Sequence, residues 1–298
     1  MVKTGVVFAL LAALCGTASA QVVSDEGFAA RLQGIRVQTV RAGERFAAAA
    51  TAADEQAAPA RLIESVLVSM NDQPGTAEEL VAWLRGHKAA VQFSARVQDA
   101  SAHDWLGDFT AEPKTPAVYL SPKAKEPVSH RYVAVLIARE AAELMLKDFP
   151  ESAEKRYIVS SRMGETFFEL GGTRLTMSDI DGHKDAKVEA GIRLWVENDP
   201  SGGVSVLKGS GSKTLKELQD ALSSEYDRLV RLEQAIDQML SVPNDPNAPS
   251  LRAELEQTQA KASETLTKLN AVKAAQDQFK KFSDDEKTWF WEHHGSLQ

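Results

Sequence analysis

The sequence predicts a predominantly helical α+β protein, with a small sheet packed among helices and an antiparallel helical hairpin after it. Three observations lead to this fold class. Aromatic residues make up only 7% of the 298 residues and alanine is frequent, which is typical of helical chains. Two short segments, 90–97 and 115–121, have the alternation or the apolar content of strands. Two long apolar seams flank a proline-rich turn, which predicts a pair of packed helices.

The first twenty residues have the features of a secretory signal peptide. Lys3 provides a positive charge, residues 6–14 form a short apolar core, and residues 18–20 read Ala-Ser-Ala, an A-x-A cleavage site. Cleavage at this site predicts a mature chain that begins at Gln21. The protein is therefore expected to be exported, to the periplasm or to the extracellular space.

Cysteine content and charge exclude several classes of function. Cys15, the single cysteine, would leave with the signal peptide, so neither disulfides nor thiol chemistry are expected. A lipoprotein is the alternative interpretation of Cys15, but Leu14 stands where lipoprotein processing requires a small residue. The formal net charge of −8 and the absence of a basic stripe argue against a nucleic-acid partner. No later segment reaches the roughly 18 uncharged apolar residues of an integral membrane span.

Turn signals and changes of periodicity divide the chain into five parts. These are a signal peptide at 1–20, an N-terminal helical segment at 21–75, a mixed domain at 76–202, a linker at 203–212, and a helical hairpin with an aromatic tail at 213–298. The linker assignment depends on two glycine-rich runs, which bracket a short strand predicted at 204–207.

Helical periodicity is strong in the mixed domain. Helices are predicted at 129–148, 151–170 and 185–197, and a further helix begins near Thr76. Thr76 and Glu79 have the spacing of a capping box, in which both side chains satisfy backbone N–H groups at the helix start. A connection at 99–113 joins the two predicted strands.

The hairpin is predicted from apolar residues that recur at steps of three and four. The first seam runs from Leu215 to Met239 and the second from Leu251 to Phe282, with a rigid turn at 242–249 between them. The two seams are expected to pack against each other in antiparallel orientation. The outer surface of residues 213–282 is then the natural site for a protein partner or for self-association.

One segment carries a recognisable pattern of chemistry. Residues 138–144 read Ala-Arg-Glu-Ala-Ala-Glu-Leu, which resembles the H-E-x-x-H helix of zinc metallopeptidases with both histidines replaced. In that motif the histidines bind zinc and the glutamate activates a water molecule. Glu140 matches the catalytic glutamate, and Arg139 and Glu143 stand at the two histidine positions. Arginine has no lone pair to give, so position 139 cannot bind a metal.

The order of the predicted elements extends this resemblance over roughly residues 76–172, which are similar to minimal zincin metallopeptidase domains. In that family a glutamate on a later helix is the third ligand, and Glu165 or Glu169 matches it. The resemblance implies a zincin-like domain at 76–202 that has lost catalysis and needs no cofactor. The alternative is a residual metallohydrolase with Glu140 as general base and with Glu143, Glu165 and Glu169 as ligands of a divalent metal. His130 lies too far along the helix from Glu140 to join that set.

Two structural hypotheses stand beside the catalytic one. Glu140 falls within the apolar face of its helix, where a carboxylate has to be paired, protonated or functional. It is therefore either a buried structural residue or a general base. Arg139 is predicted to replace the metal by bridging Glu143 on its own helix and Glu165 or Glu169 on the next. Arg162 is a competing local partner for those last two carboxylates.

Other signals are weaker. Residues 179–185 have some features of a calcium loop, but the glycine comes too early and the twelfth position lacks a glutamate. The run Trp289-Phe290-Trp291 before His293 and His294 is interpreted as an aromatic anchor that docks the tail. No serine-nucleophile motif and no phosphate-binding loop occurs in the sequence.

Overall fold

A computed structural model describes residues 58–95, 97, 99–104, 116–122, 129–173, 185–243 and 246–297. These residues form eight helices and one three-stranded sheet. The predicted fold class, a predominantly helical α+β protein with a small sheet, is confirmed. The predicted signal peptide, residues 21–57 of the N-terminal segment and residues 179–184 of the calcium-like loop lie outside the described residues.

The helices follow the predicted periodicity closely. They are α1 Ala58–Asn71, α2 Thr76–Gly86, α3 His130–Met145, α4 Ala153–Glu169, α5 Ala186–Glu197, α6 Pro200–Gly209, α7 Leu215–Leu240 and α8 Ala248–Leu297. Side-chain caps explain several of the starts. The hydroxyl of Ser129 accepts hydrogen bonds from the first amides of α3, and the carboxylate of Asp185 does the same for α5.

The sheet contains the two predicted strands and one that sequence analysis missed. The strands β1 (Ala90–Phe93), β2 (Ser101–Asp104) and β3 (Ala117–Leu120) lie in the order β1-β3-β2. Strand β3 pairs in parallel with β1 and antiparallel with β2, with Ser101 opposite Leu120. Strand β2 lies in the predicted connection because its sequence, Ser-Ala-His-Asp, has none of the β-branched or aromatic residues that favour strands.

Helix α3 is the centre of the core. Its side chains from Tyr132 to Ala138 are all buried, and it contacts α1, α2, α4 and two strands of the sheet. Such a helix has no solvent-facing stripe. A polar side chain on its buried face, such as Glu140, is therefore held against other protein groups and not against water.

The strand predicted at 204–207 is wrong, and most of the predicted linker is helical. Residues 200–209 form α6, which begins with Pro200 at its first turn and is capped by the carboxylate of Asp199. The glycines serve close packing here. A Cβ atom at Gly203 would lie 2.2 Å from Cε2 of Tyr157, so α6 can approach α4 only because this side chain is absent.

The predicted hairpin is present, with helices α7 and α8 packed along each other. Leu229, Ile236, Ala262 and Leu269 are buried in the seam but belong to neither of the two apolar clusters of the rest of the fold. Helix α8 continues without a break beyond the hairpin, so the predicted aromatic tail is helical. Among the described helices, none combines the length and the apolar character needed to cross a membrane.

Candidate functional site

The residue that matches a catalytic glutamate is buried against the edge strand. Only 2% of the surface of Glu140 is exposed. The hydroxyl of Ser101 on β2 donates a 2.6 Å hydrogen bond to Glu140 Oε1. The Nε atom of Arg139 lies 3.5 Å from the same oxygen. The carboxylate thus has a neutral donor and a cation, which together satisfy a group that would be costly to bury bare.

Arg139 also lines a shallow cleft of about 300 Å³ beside this pair. The other charged groups of the cleft are already paired with each other or with the protein. Lys187 Nζ lies 2.8 Å from Asp99 Oδ2, and the hydroxyl of Tyr132 donates to Asp185 at 3.0 Å. Burial, together with the charge of Asp185, raises the pKa of Tyr132 above its usual value. The cleft is therefore largely neutralised by its own residues.

The bridge predicted from Arg139 is wrong. Arg139 contacts Glu140 on its own helix, while Glu143 pairs with Lys155 Nζ at 3.1 Å. Lys155, which also pairs with Glu151, is the cation that joins α3 and α4. Sequence analysis missed it because Lys155 lies in the first turn of α4, where a lysine is normally solvated.

The metal ligands proposed for a residual metallohydrolase do not all come together, since Glu165 and Glu169 both contact Thr76 but Glu143 lies elsewhere. Glu143 lies beside Lys155 at the start of α4, whereas Glu165 lies ten residues further along that helix, about 15 Å away at 1.5 Å per residue. His130 is near Ser65, with 3.4 Å between Nε2 and the hydroxyl oxygen, and burial lowers its pKa. Across the described residues, no group of three or more His, Cys, Asp or Glu side chains is arranged to hold a metal ion. The donor set therefore does not fit the divalent metal of the alternative hypothesis.

Glu169 has a different role, since it caps helix α2 from another part of the fold. Its two carboxylate oxygens accept hydrogen bonds from the backbone N–H groups of Thr76 and Ala77, each at 2.8 Å. Gly75, with a φ of 138°, allows this approach, because a Cβ there would lie 2.3 Å from Glu169 Oε1. The predicted capping box is wrong. Thr76 is the first residue inside the helix, and its side chain makes no cap.

Glu165 and Arg162 form the next layer of this polar region. The hydroxyl of Thr76 donates to Glu165 Oε2 at 2.6 Å and accepts from Arg162 at 2.9 Å. Arg162 also lies 3.0 Å from Glu165 and 4.0 Å from Glu79. Arg162 is thus the partner of Glu165, as the competing assignment from the sequence proposed, whereas Glu169 is held by backbone N–H groups.

The fourth carboxylate comes from the far end of the chain. Glu286 of α8 is 5% exposed, and its Oε1 accepts a 2.9 Å hydrogen bond from the hydroxyl of Ser161 and another from the indole N–H of Trp195. We call Glu79, Glu165, Glu169 and Glu286, together with Arg162, the carboxylate cluster.

Burial dominates the electrostatics of the carboxylate cluster. It raises the pKa of Glu286 to about 8, with a further contribution from the charge of Glu165. Burial also raises the pKa of Glu169 to about 7, against the opposing effect of its two backbone hydrogen bonds. The pKa of Glu79 is raised for the same reason. Several of these groups are therefore protonated where an exposed glutamate is ionised.

Sequence analysis overlooked Glu286, although one signal was available. Phe279, Phe282, Glu286 and Phe290 follow the helical spacing of a single face, so a carboxylate there lies within an apolar stripe. The aromatic anchor predicted nearby has the expected contacts at two of its positions. Trp289 stacks on Trp195 with 5.2 Å between ring centroids, and Phe290 is buried, whereas Trp291 is exposed. The side chains of His293 and His294 are not among those that the structure describes.

Comparison with protein-family models, with curated proteins and with solved structures yields no match to this chain. The zincin resemblance therefore depends on the order of the elements and on the position of Glu140 in α3. The geometry described above is the basis for a functional proposal.

Proposed function

We propose that this chain is an exported, non-catalytic, zincin-like protein that acts as a binding or structural module through its helical hairpin. The carboxylate that would serve as a base, Glu140, is engaged by Ser101 and Arg139. A general base has to reach a substrate or a water molecule with a free lone pair in the right direction. The near-complete burial of Glu140 favours a structural role instead.

The observation that carries the proposal is the way the hairpin is built. Beyond Leu222 its buried residues pack only into the α7–α8 seam, outside both apolar clusters of the fold. From Leu222 to Leu240, α7 extends about 27 Å at 1.5 Å per residue. We call residues 223–271 the arm. A seam between two helices buries only one face of each helix. The remaining faces of an arm of this length therefore form a long surface that a partner can contact.

The base of the arm is held firmly. The carboxylate of Glu154 accepts a 2.9 Å hydrogen bond from the backbone N–H of Leu215, and the N–H of Ala153 donates to the carbonyl of Lys213 at 2.8 Å. Thr214 and Glu217 form a capping box at the same place. Phe149, Ile158, Leu215, Val272 and Ala275 enclose this junction in an apolar cluster. A rigid junction lets the body of the fold orient the arm.

Two large apolar side chains are exposed near the tip of the arm. Met239 is 44% exposed and Val242 is 56% exposed. Elsewhere the arm carries paired surface charges such as Glu225 with Arg228 and Glu264 with Lys268. Exposed apolar side chains on an otherwise charged surface are suited to a protein contact, either with another protein or with a second copy of this chain.

Site-specific cross-linking tests this proposal. The predicted mature chain contains no cysteine, so Met239→Cys places one label at the tip and Val206→Cys, at a similarly exposed apolar position on α6, is the matched control. We expect adducts from position 239 in cells, or a dimer of the purified protein, and no such product from position 206. A purified protein that stays monomeric, together with no tip-specific adduct, would refute a binding role for the arm.

The catalytic alternative has a separate test. We expect the purified protein and its Glu140→Gln variant to show the same background in a general peptidase assay with added Zn²⁺, Mn²⁺ or Ca²⁺. Metal-dependent hydrolysis that is lost in Glu140→Gln would reverse the assignment.

A further inference from the structure

The C-terminal part of α8 is docked on the body of the fold through a buried acid. We call residues 279–290 the docking segment. Its aromatic residues pack against α4 and α5: Phe282 lies 6.4 Å from the ring of Tyr157, and Trp289 stacks on Trp195. Glu286 lies between these contacts, although a buried apolar side chain would cost less there. The protonation state of Glu286 therefore affects how firmly the docking segment is held.

The charges around Glu286 do not balance without a proton. The carboxylate cluster contains four carboxyl groups and one guanidinium, and within the described part of the chain Arg162 is the cation that contacts it. Among the described residues, the hydrogen bonds to Glu286 come from neutral donors, the hydroxyl of Ser161 and the indole N–H of Trp195. A buried carboxyl held only by neutral donors keeps its proton to a higher pH than an exposed one, and the charge of Glu165 acts in the same direction.

The remaining groups that face Glu286 carry no charge. From α4 they are Ser161, whose hydroxyl donates to it, and Tyr157, whose hydroxyl donates to the carbonyl of Asn198. From α5 the facing group is the indole of Trp195. On α8 itself, the residues one turn away are aromatic or serine. Arg162 and the acidic side chains of α2 and α4 are therefore the charged groups on which the protonation of Glu286 depends.

We propose that docking of α8 is linked to a proton on the buried carboxyl of Glu286, so that the docking segment loosens as the medium changes from mildly acidic to alkaline. The sign follows from the two states. In the released segment Glu286 titrates near its ordinary value of 4.5, whereas in the docked state its pKa is about 8. Release therefore frees a proton between these values, and the docked state loses stability as pH rises through that range.

This link acts on the arm because α8 is continuous. The same helix forms one side of the arm and, about two turns later, the docking segment. Loosening residues 279–290 removes part of the support that orients the arm. The inference does not depend on what the arm binds, so it stands or fails separately from the proposed function.

Hydrogen exchange measured at several pH values tests this link between protonation and docking. For amides of the docking segment, the exchange rate of the wild type is divided by that of Glu286→Gln at the same pH, which cancels the intrinsic base catalysis. The glutamine carbonyl can accept from Ser161 and Trp195 and the side chain carries no charge, so the variant mimics the protonated acid. We expect this ratio to rise about tenfold per pH unit between about pH 5 and pH 7.5.

A control variant and a second test variant accompany this measurement. Glu292→Gln changes an exposed carboxylate on the same helix and should retain the wild-type pH dependence. Glu165→Gln removes a neighbouring negative charge, so it should lower the pKa of Glu286 and end the rise of the ratio at a lower pH, which provides a second variant if Glu286→Gln does not fold. A ratio that is constant with pH overturns the proposal. It is also overturned if amides of α3 accelerate equally, since the whole fold and not the docking segment would then be responding.

Discussion

A glycine in the interface of α4 and α5 supports the sharpest stability prediction. Gly164 lies in the middle of α4, directly under the ring of Trp195. A Cβ added at Gly164 would lie 2.2, 2.6 and 2.9 Å from three ring carbons of Trp195. Carbon atoms normally approach to about 3.5–4.0 Å, so the ring would have to move by more than about 1 Å. The substitution Gly164→Ala therefore tests how tightly this interface is packed.

The magnitude follows from what holds the ring. Trp195 is fully buried, donates its indole N–H to Glu286 and stacks on Trp289. Overpacking a core typically costs about 1–3 kcal/mol, and disturbing a buried hydrogen bond costs about 1–3 kcal/mol more. The higher helix propensity of alanine offsets this loss by stabilising α4 by about 1 kcal/mol. We expect Gly164→Ala to lower the free energy of unfolding by roughly 3 kcal/mol.

Urea denaturation followed by tryptophan fluorescence measures this effect. For a domain of this size, a loss of 3 kcal/mol corresponds to a fall in Tm of roughly 6–12 °C. Gly86→Ala is the matched control, because a Cβ at that helical glycine would meet no atom within 4 Å. It should leave the stability unchanged or raise it by up to about 1 kcal/mol. A Gly164→Ala protein as stable as the wild type would show that the close contact between α4 and α5 is not present.

Three further substitutions probe the polar contacts and the second close approach of helices. Ser101→Ala should lower the free energy of unfolding by about 1.5–3 kcal/mol, because it removes a donor from the buried carboxyl of Glu140; an unchanged urea midpoint would contradict the 2.6 Å contact. Glu169→Gln should flatten the pH dependence of stability. Because the pKa of Glu169 is raised to about 7 from 4.5, the free energy of unfolding of the wild type should fall by up to about 1.4 kcal/mol per pH unit between these values. Equal slopes of unfolding free energy against pH for the two proteins would contradict this. Gly203→Ala should destabilise the protein by about 1–3 kcal/mol, since its Cβ would meet the ring of Tyr157 at 2.2 Å, and a normal melting temperature would argue against the packing of α6 on α4.

Local sequence signals explain which parts of the fold could be predicted. The start of α3 follows from the serine cap at position 129, and the long α7–α8 seam follows from apolar residues at steps of three and four. Strand β2 could not be predicted, because Ser101 and its neighbours have no strand preference and are held by pairing with β3. The strand predicted at 204–207 failed for the opposite reason: the segment favours a strand locally, but the cap at Asp199 and the packing of Gly203 select a helix.

In the candidate site, too, local features could be predicted from the sequence, whereas contacts between distant residues could not. Sequence analysis selected Glu140 correctly as a carboxylate within an apolar face, and it named Arg162 as a competing partner of Glu165 and Glu169. The partner of Glu143 was wrong, since Lys155 and not Arg139 reaches it. Glu286 was not considered at all, because its partners lie more than ninety residues away in the chain.

The amino-acid sequence alone determined the helical periodicity, the hairpin and the residue types at positions 139, 140 and 143. These properties depend on the types and spacing of residues within a few turns. The tertiary structure decided which partner each charged group meets: Glu169 the start of α2, Glu143 the amine of Lys155, and Glu286 the donors of Ser161 and Trp195. The physical reason is that Coulomb and hydrogen-bond energies depend on distances of a few ångströms and on exclusion of water, and both are set by packing between distant segments.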